Sequence, residues 1–124
     1  RGVPLALCTS ALPAEIDTIL GAQGLQLMSH FSFTISGLDV ERSKPHPETY
    51  NRLLELTKTK PAACLVFEDS GLGVRSAAGA GTVCIAVPNR YTENQDFEGA
   101  RFVLDNLTRD AKQYARNIGQ RRNL

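Results

Sequence analysis

Short apolar runs alternate with helically spaced segments along the chain, and this alternation most narrows the fold. Val3–Cys8 (VPLALC), Phe31–Ile35 (FSFTI), Ala63–Phe67 (ACLVF) and Thr82–Val87 (TVCIAV) are runs of strand length without interspersed charge. Continuous apolar strands of this kind belong inside parallel sheets, which are covered on both faces. Between them, Pro13–Leu20 places Ile16, Ile19 and Leu20 on one helical face, with Gly21 and Gly24 at its end. Pro47–Thr57 does the same with Tyr50, Leu53 and Leu54, and its proline stands in the first turn. Leu72–Ala80 reads as a helix of very small residues, Arg101–Leu104 as a short fifth strand and Asp110–Ile118 as a last helix. The order predicts an α/β domain over residues 1–124, with a Rossmann-like parallel sheet and helices on both faces.

In such sheets ligands bind beyond the carboxyl ends of the strands. Thr9 and Ser10 follow the first strand, Lys44-Pro45 follows the second after a short loop, and Glu68-Asp69 ends the third. Hydroxyls, an ammonium and paired carboxylates on one rim suggest a phosphate site with a hard metal. Carboxylates hold Mg²⁺, the ammonium neutralises phosphate oxygens and a hydroxyl donates to another oxygen. Two adjacent carboxylates repel unless a cation stands beside them. The following segment, Ser70-Gly71-Leu72-Gly73, opens a helix whose N-terminal N–H groups would favour an anion on the same rim.

Composition excludes several classes. A formal net charge of +1 over 124 residues gives no global field for nucleic acid or a membrane surface. The basic stretch Arg109, Lys112, Arg116, Arg121 and Arg122 reads as a solvated helix and tail. No apolar run reaches membrane-spanning length, and no signal peptide is visible. Cys8, Cys64 and Cys84 lie in or beside apolar runs without a CxxC spacing, as reduced cysteines of a cytoplasmic protein do.

LALCTS, SKPHPETY, FEDSGLGVRSAAGAG and VPN, in this order, resemble the haloacid dehalogenase superfamily, in particular its phosphoglycolate phosphatase and beta-phosphoglucomutase-like branch. The resemblance implies a Rossmann-like core and Mg²⁺-dependent hydrolysis of a small phosphorylated metabolite through an aspartyl-phosphate. By position, Thr9 matches the family's phosphoryl-binding hydroxyl and Lys44 its charge-neutralising lysine. Asp69 matches the metal-binding acid, and Glu68 a direct or water-mediated second ligand. Ser10 is a further phosphate donor or a turn residue.

The family's nucleophile stands in an Asp-x-Asp motif on an earlier strand, and no Asp-x-Asp occurs here. The chain opens on Arg1-Gly2, which looks like the tail of the helix before the hydroxyl strand. The first, nucleophile strand and the cap domain are therefore expected to be missing, leaving the nucleophile unknown and the chain alone inactive. The expected consequence is an open position between Val3–Cys8 and Ala63–Phe67, where unpaired backbone groups cost roughly 1–3 kcal/mol each when buried.

Asp39 reads as a turn acid after Gly37, His46 and His30 as surface groups, Arg75 as exposed and Tyr50 as core. A sugar-phosphate mutase and a truncated, non-catalytic binding module are the alternatives. A receiver-like signalling domain also combines carboxylates, a hydroxyl and Lys-Pro, but places the acids first and Lys-Pro last. Substrate and oligomeric state are not encoded in these motifs.

Overall fold

The computed structural model describes residues 2–107. The expected last helix and the basic stretch from Arg109 lie outside them. Within them, strands β1 (Ala6–Cys8), β2 (Phe33–Ile35), β3 (Leu65–Glu68), β4 (Val83–Ala86) and β5 (Phe102–Val103) alternate with helices α1 (Pro13–Leu20), α2 (Glu48–Thr57) and α3 (Gly71–Gly79). All pairings are parallel, as the alternation predicts. β1 pairs with β2, matching Ala6 to Phe33 and Cys8 to Ile35. β3 pairs with β4, matching Leu65 to Val83 and Glu68 to Ala86, and β4 pairs with β5. No helix among the described residues is long and apolar enough to cross a membrane.

β1 and β3 are not bonded to each other, so the strands form a two-stranded and a three-stranded sheet. This lack of pairing is in keeping with the open position expected between them. α2 packs against β1, β2 and α3, and α3 packs against β3 and β4. Tyr50, Leu54, Val66, Val74, Ala77 and Cys84 belong to the common core. Ile85 of β4 is wholly buried; burying such a side chain contributes roughly 1.5–3 kcal/mol.

The sequence places several boundaries too widely. Val3 and Leu5 are exposed rather than buried in a strand, because Pro4 has no N–H and the ladder with β2 begins at Ala6. Phe31 and Ala63 end or lie in single 3₁₀ turns instead of opening strands. β3 is also not buried on both faces. Val66 and Glu68 point into the core, whereas Leu65 and Phe67, on the alternate face, are 36% and 44% exposed.

Two glycines are required by close approach. Gly99 takes φ +100°, and a Cβ there would stand 2.9 Å from that of Ala78 on α3. Gly73 belongs to the site described next.

Candidate active site

Thr9, Ser10, Lys44, Glu68 and Asp69 come from three separate segments and line one cleft of about 480 Å³ at the carboxyl ends of β1 and β3. Leu7, Cys8 and Phe67 form its walls on the two strands. The fold therefore brings together all five residues singled out in the sequence.

The paired acids diverge. Glu68, the last residue of β3, shares the inward side with Val66 and is 8% exposed, while Asp69, one residue past the strand, lies at the exposed rim. Glu68 Oε1 accepts from Lys44 Nζ and from the Tyr50 hydroxyl. Lys44 Nζ also donates to the Cys8 carbonyl at 3.2 Å. Lys44 thus spans the open position, joining the end of β1 to the end of β3. The cation that two neighbouring carboxylates require is supplied from the chain itself.

The small residues of α3 now have a steric reason. A Cβ on Gly73 would stand 2.0 Å from Glu68 Oε2, so only glycine lets the helix pass over this carboxylate. Ser76, fully buried, donates from Oγ to the His46 carbonyl at 2.7 Å. A Cβ on Gly79 would meet Pro47 at 3.3 Å. Both contacts seat α3 against the loop that carries Lys44.

The N-terminus of α3 is less available to an anion than the sequence suggests. Ser70 Oγ accepts from Gly73 N–H at 3.2 Å, and Gln95 Oε1 accepts from Gly71 N–H at 2.8 Å. These side chains satisfy donors that an anion would otherwise take.

Asp69 is held by a residue that the sequence did not reveal as a site residue. Asn89, just after β4, donates from Nδ2 to Asp69 Oδ2 at 3.2 Å. Asn89 is itself fixed in a turn, its Oδ1 accepting from Tyr91 N–H at 2.8 Å. Thr9 Oγ1 accepts from Ala11 N–H at 3.0 Å, which leaves its hydroxyl proton for another acceptor. Ser10 is exposed on the cleft wall.

The neighbouring polar groups have structural partners. Asp39 accepts from Ser36 N–H and Oγ, both at 2.7 Å, and these bonds, the backbone one foremost, hold its carboxyl below the usual range. Glu48 accepts from the Glu41 and Arg42 N–H groups, which likewise lowers its carboxyl and clasps the loop leading to Lys44. His46 Nδ1, half-buried rather than fully at the surface, accepts from Glu48 N–H at 3.2 Å. His30 and Arg75 are exposed as expected. Burial pushes the Cys8 and Cys84 thiols from 9.0 up to about 12. Burial, reinforced by the Glu68 carboxylate, raises the Tyr50 phenol and keeps it protonated.

Asp69 and Glu68 offer the hard oxygens that Mg²⁺ takes. Asp69 Oδ1 accepts from none of the described residues, whereas Glu68 Oε1 is engaged by two donors. Among the described residues no group of three or more His, Cys, Asp or Glu side chains could hold a metal ion. The hard-oxygen chemistry of Asp69 and Glu68 suits Mg²⁺, but among the described residues these two carboxylates do not make up a full ligand set.

This geometry defines a parallel α/β core with a polar cleft at its strand ends. Residues 1–87 match the family of haloacid dehalogenase-like hydrolases, and the chain belongs to it. Protein CbbY of Rhodobacter capsulatus is 34% identical over 113 residues, 90% of this chain and 50% of that protein. The CBBY-like protein of Arabidopsis thaliana is 33% identical over 109 residues, 85% of this chain and 33% of that protein. The chain thus spans half or less of these relatives' length. A crystal structure of a CbbY mutant from Rhodobacter sphaeroides in complex with xylulose-(1,5)bisphosphate superposes with a TM-score of 0.78 at 31% identity, covering 84% of this chain and 47% of that one. Beta-phosphoglucomutase of Clostridium difficile, at 20% identity and a TM-score of 0.71, shares the fold.

Proposed function

We propose that this chain forms part of a Mg²⁺-dependent phosphatase acting on a small phosphorylated metabolite. The observation that carries the reading is the convergence of Thr9, Lys44 and Asp69 on one cleft. Thr9 would donate its free hydroxyl proton to a phosphoryl oxygen. Ser10, on the same wall, would add a second donor. Lys44 would neutralise charge that builds up on the transferring group. Asp69, oriented by Asn89, would hold Mg²⁺, with Glu68 as a water-mediated or direct second ligand. The bound ion would supply charge neutralisation of phosphate oxygens.

None of these groups accepts a phosphoryl group in the manner of the family's Asp-x-Asp, which this sequence lacks. The open position between β1 and β3 supports a nucleophilic aspartate delivered on a strand from outside residues 1–124. That aspartate would attack the phosphomonoester and water would release phosphate. The sugar bisphosphate bound by the CbbY mutant makes sugar phosphates the first substrates to try.

The test is a product assay of the intact protein carrying this chain against sugar phosphates and other phosphomonoesters with Mg²⁺. Free phosphate is the expected product. An isomerised sugar phosphate would identify a mutase, and no turnover would identify a binding module. Residues 1–124 alone should release no phosphate. Turnover by that chain, abolished by Asp69→Asn, would overturn the assignment of the nucleophile.

A further inference from the structure

Tyr50 lies on the apolar stripe of α2 with Leu53 and Leu54 and is 3% exposed. Periodicity alone makes it a core residue, and phenylalanine would fill the same space. Its hydroxyl nevertheless donates to Glu68 Oε1 and stands 3.5 Å from Lys44 Nζ, as an acceptor. The Tyr50 ring centroid is 5.2 Å from the same ammonium. Tyr50, Lys44 and Glu68 therefore close a triangle of contacts, and the Cys8 carbonyl takes a further Lys44 proton.

Both charged members are nearly dry: the side chains of Lys44 and Glu68 are 11% and 7% exposed. An ion pair in this position loses solvation, and the loss is offset only when the remaining lone pairs and protons are satisfied. The Tyr50 hydroxyl does this for both partners at once. It gives a proton to the carboxylate and a lone pair to the ammonium. Tyr50 does not line the cleft, so it reaches the site only through these two side chains.

We infer that Tyr50 is a positioning residue, whose hydroxyl rather than its ring fixes the Lys44 ammonium and the Glu68 carboxylate at the cleft. Without the hydroxyl, Glu68 Oε1 keeps Lys44 as its only donor among the described residues. The ammonium then loses one acceptor and is free to follow the carboxylate rather than hold its place on the cleft wall. The inference rests on the phosphatase reading for its effect on turnover, but not for its effect on Lys44.

The test is Tyr50→Phe in the intact protein, read in two ways. The first is NMR of the Lys44 ammonium: in the unsubstituted protein its side chain is expected to be ordered and slow to exchange with solvent, and Tyr50→Phe is expected to remove that protection. The second is steady-state kinetics with the best phosphomonoester. kcat is expected to fall roughly 10–100-fold, the usual effect of losing a partner that orients a site residue, while KM stays within about twofold. A folded Tyr50→Phe protein with an unchanged Lys44 signal overturns the inference, whatever its turnover. Absence of turnover in the unsubstituted protein refutes the phosphatase reading alone, and the Lys44 signal still decides the role of Tyr50. Where Tyr50→Phe does not fold, the unsubstituted protein decides. A slowly exchanging Tyr50 hydroxyl proton close in space to the Lys44 ε-methylene is expected, and its absence refutes the triangle.

Discussion

Replacing Gly73 by alanine tests the steric argument for the small-residue helix. The added Cβ would stand 2.0 Å from Oε2, 2.3 Å from Cδ and 2.8 Å from Oε1 of Glu68. No carbon approaches an oxygen so closely, so the carboxylate or the helix must move. The carboxylate is the end of a side chain, but it is tied by Lys44 and Tyr50. Displacing it forfeits two hydrogen bonds to a charged group, each contributing about 1.5–3 kcal/mol. Alanine itself favours the helix over glycine by about 1 kcal/mol. The balance is a destabilisation of about 2–5 kcal/mol. Urea unfolding of the intact protein, followed by circular dichroism, measures it. The decisive comparison is a double-mutant cycle with Glu68→Ala. Once the carboxylate is removed, Gly73→Ala should be neutral or stabilising by up to about 1 kcal/mol. An equal penalty in both backgrounds would show that the helix meets something other than Glu68, and the reasoning would fail.

Ser76→Ala should cost about 0.5–1.5 kcal/mol by removing the hydrogen bond from the buried Ser76 hydroxyl to the His46 carbonyl; no measurable change in the same unfolding assay contradicts the anchoring of the Lys44 loop. Asp69→Ala should weaken Mg²⁺ binding in a direct titration, whereas Lys44→Ala should lower kcat with metal affinity largely kept; unchanged Mg²⁺ dependence in Asp69→Ala rules out its assigned role. Stability should fall at alkaline pH. The folded thiols of Cys8 and Cys84 are raised from 9.0 to about 12, so their contribution is complete below pH 9 and is lost as pH rises towards 12. Each thiol that ionises only in the unfolded chain removes at most about 1.4 kcal/mol per pH unit. Urea midpoints that stay level from pH 8 to 11 would refute this.

Much of the fold is legible because its signals are local. The run TVCIAV becomes the innermost strand, with Cys84, Ile85 and Ala86 essentially without solvent contact. The spacing of Tyr50, Leu53 and Leu54 sets the buried face of α2. The strand ends are less legible, because Pro4 and the 3₁₀ turns at Met28–His30 and Pro61–Ala63 interrupt apolar runs that composition alone reads as continuous. The inward turn of Glu68 was open to prediction from the two-residue period of the strand it ends, with Asp69 one residue beyond it at the rim.

The remaining features depend on distance along the chain. Tyr50 meets Glu68 across 18 residues, Asn89 meets Asp69 across 20 and Gln95 meets Gly71 across 24. Periodicity states that Tyr50 is buried, but not which acceptor its hydroxyl finds. A buried hydroxyl requires such an acceptor, so a tyrosine where phenylalanine would satisfy packing is itself a signal that a polar group lies opposite. Gly73 carries the complementary signal, since it weakens its own helix relative to alanine. Each residue is a poor choice for local structure, and both choices are explained by one carboxylate, that of Glu68. The buried carboxylate demands a donor on α2 and open space on α3, and it places Lys44 between two strands that are not paired with each other. Glu68 thereby determines the geometry of the cleft through its neighbours, whichever ligand role Asp69 takes beside it.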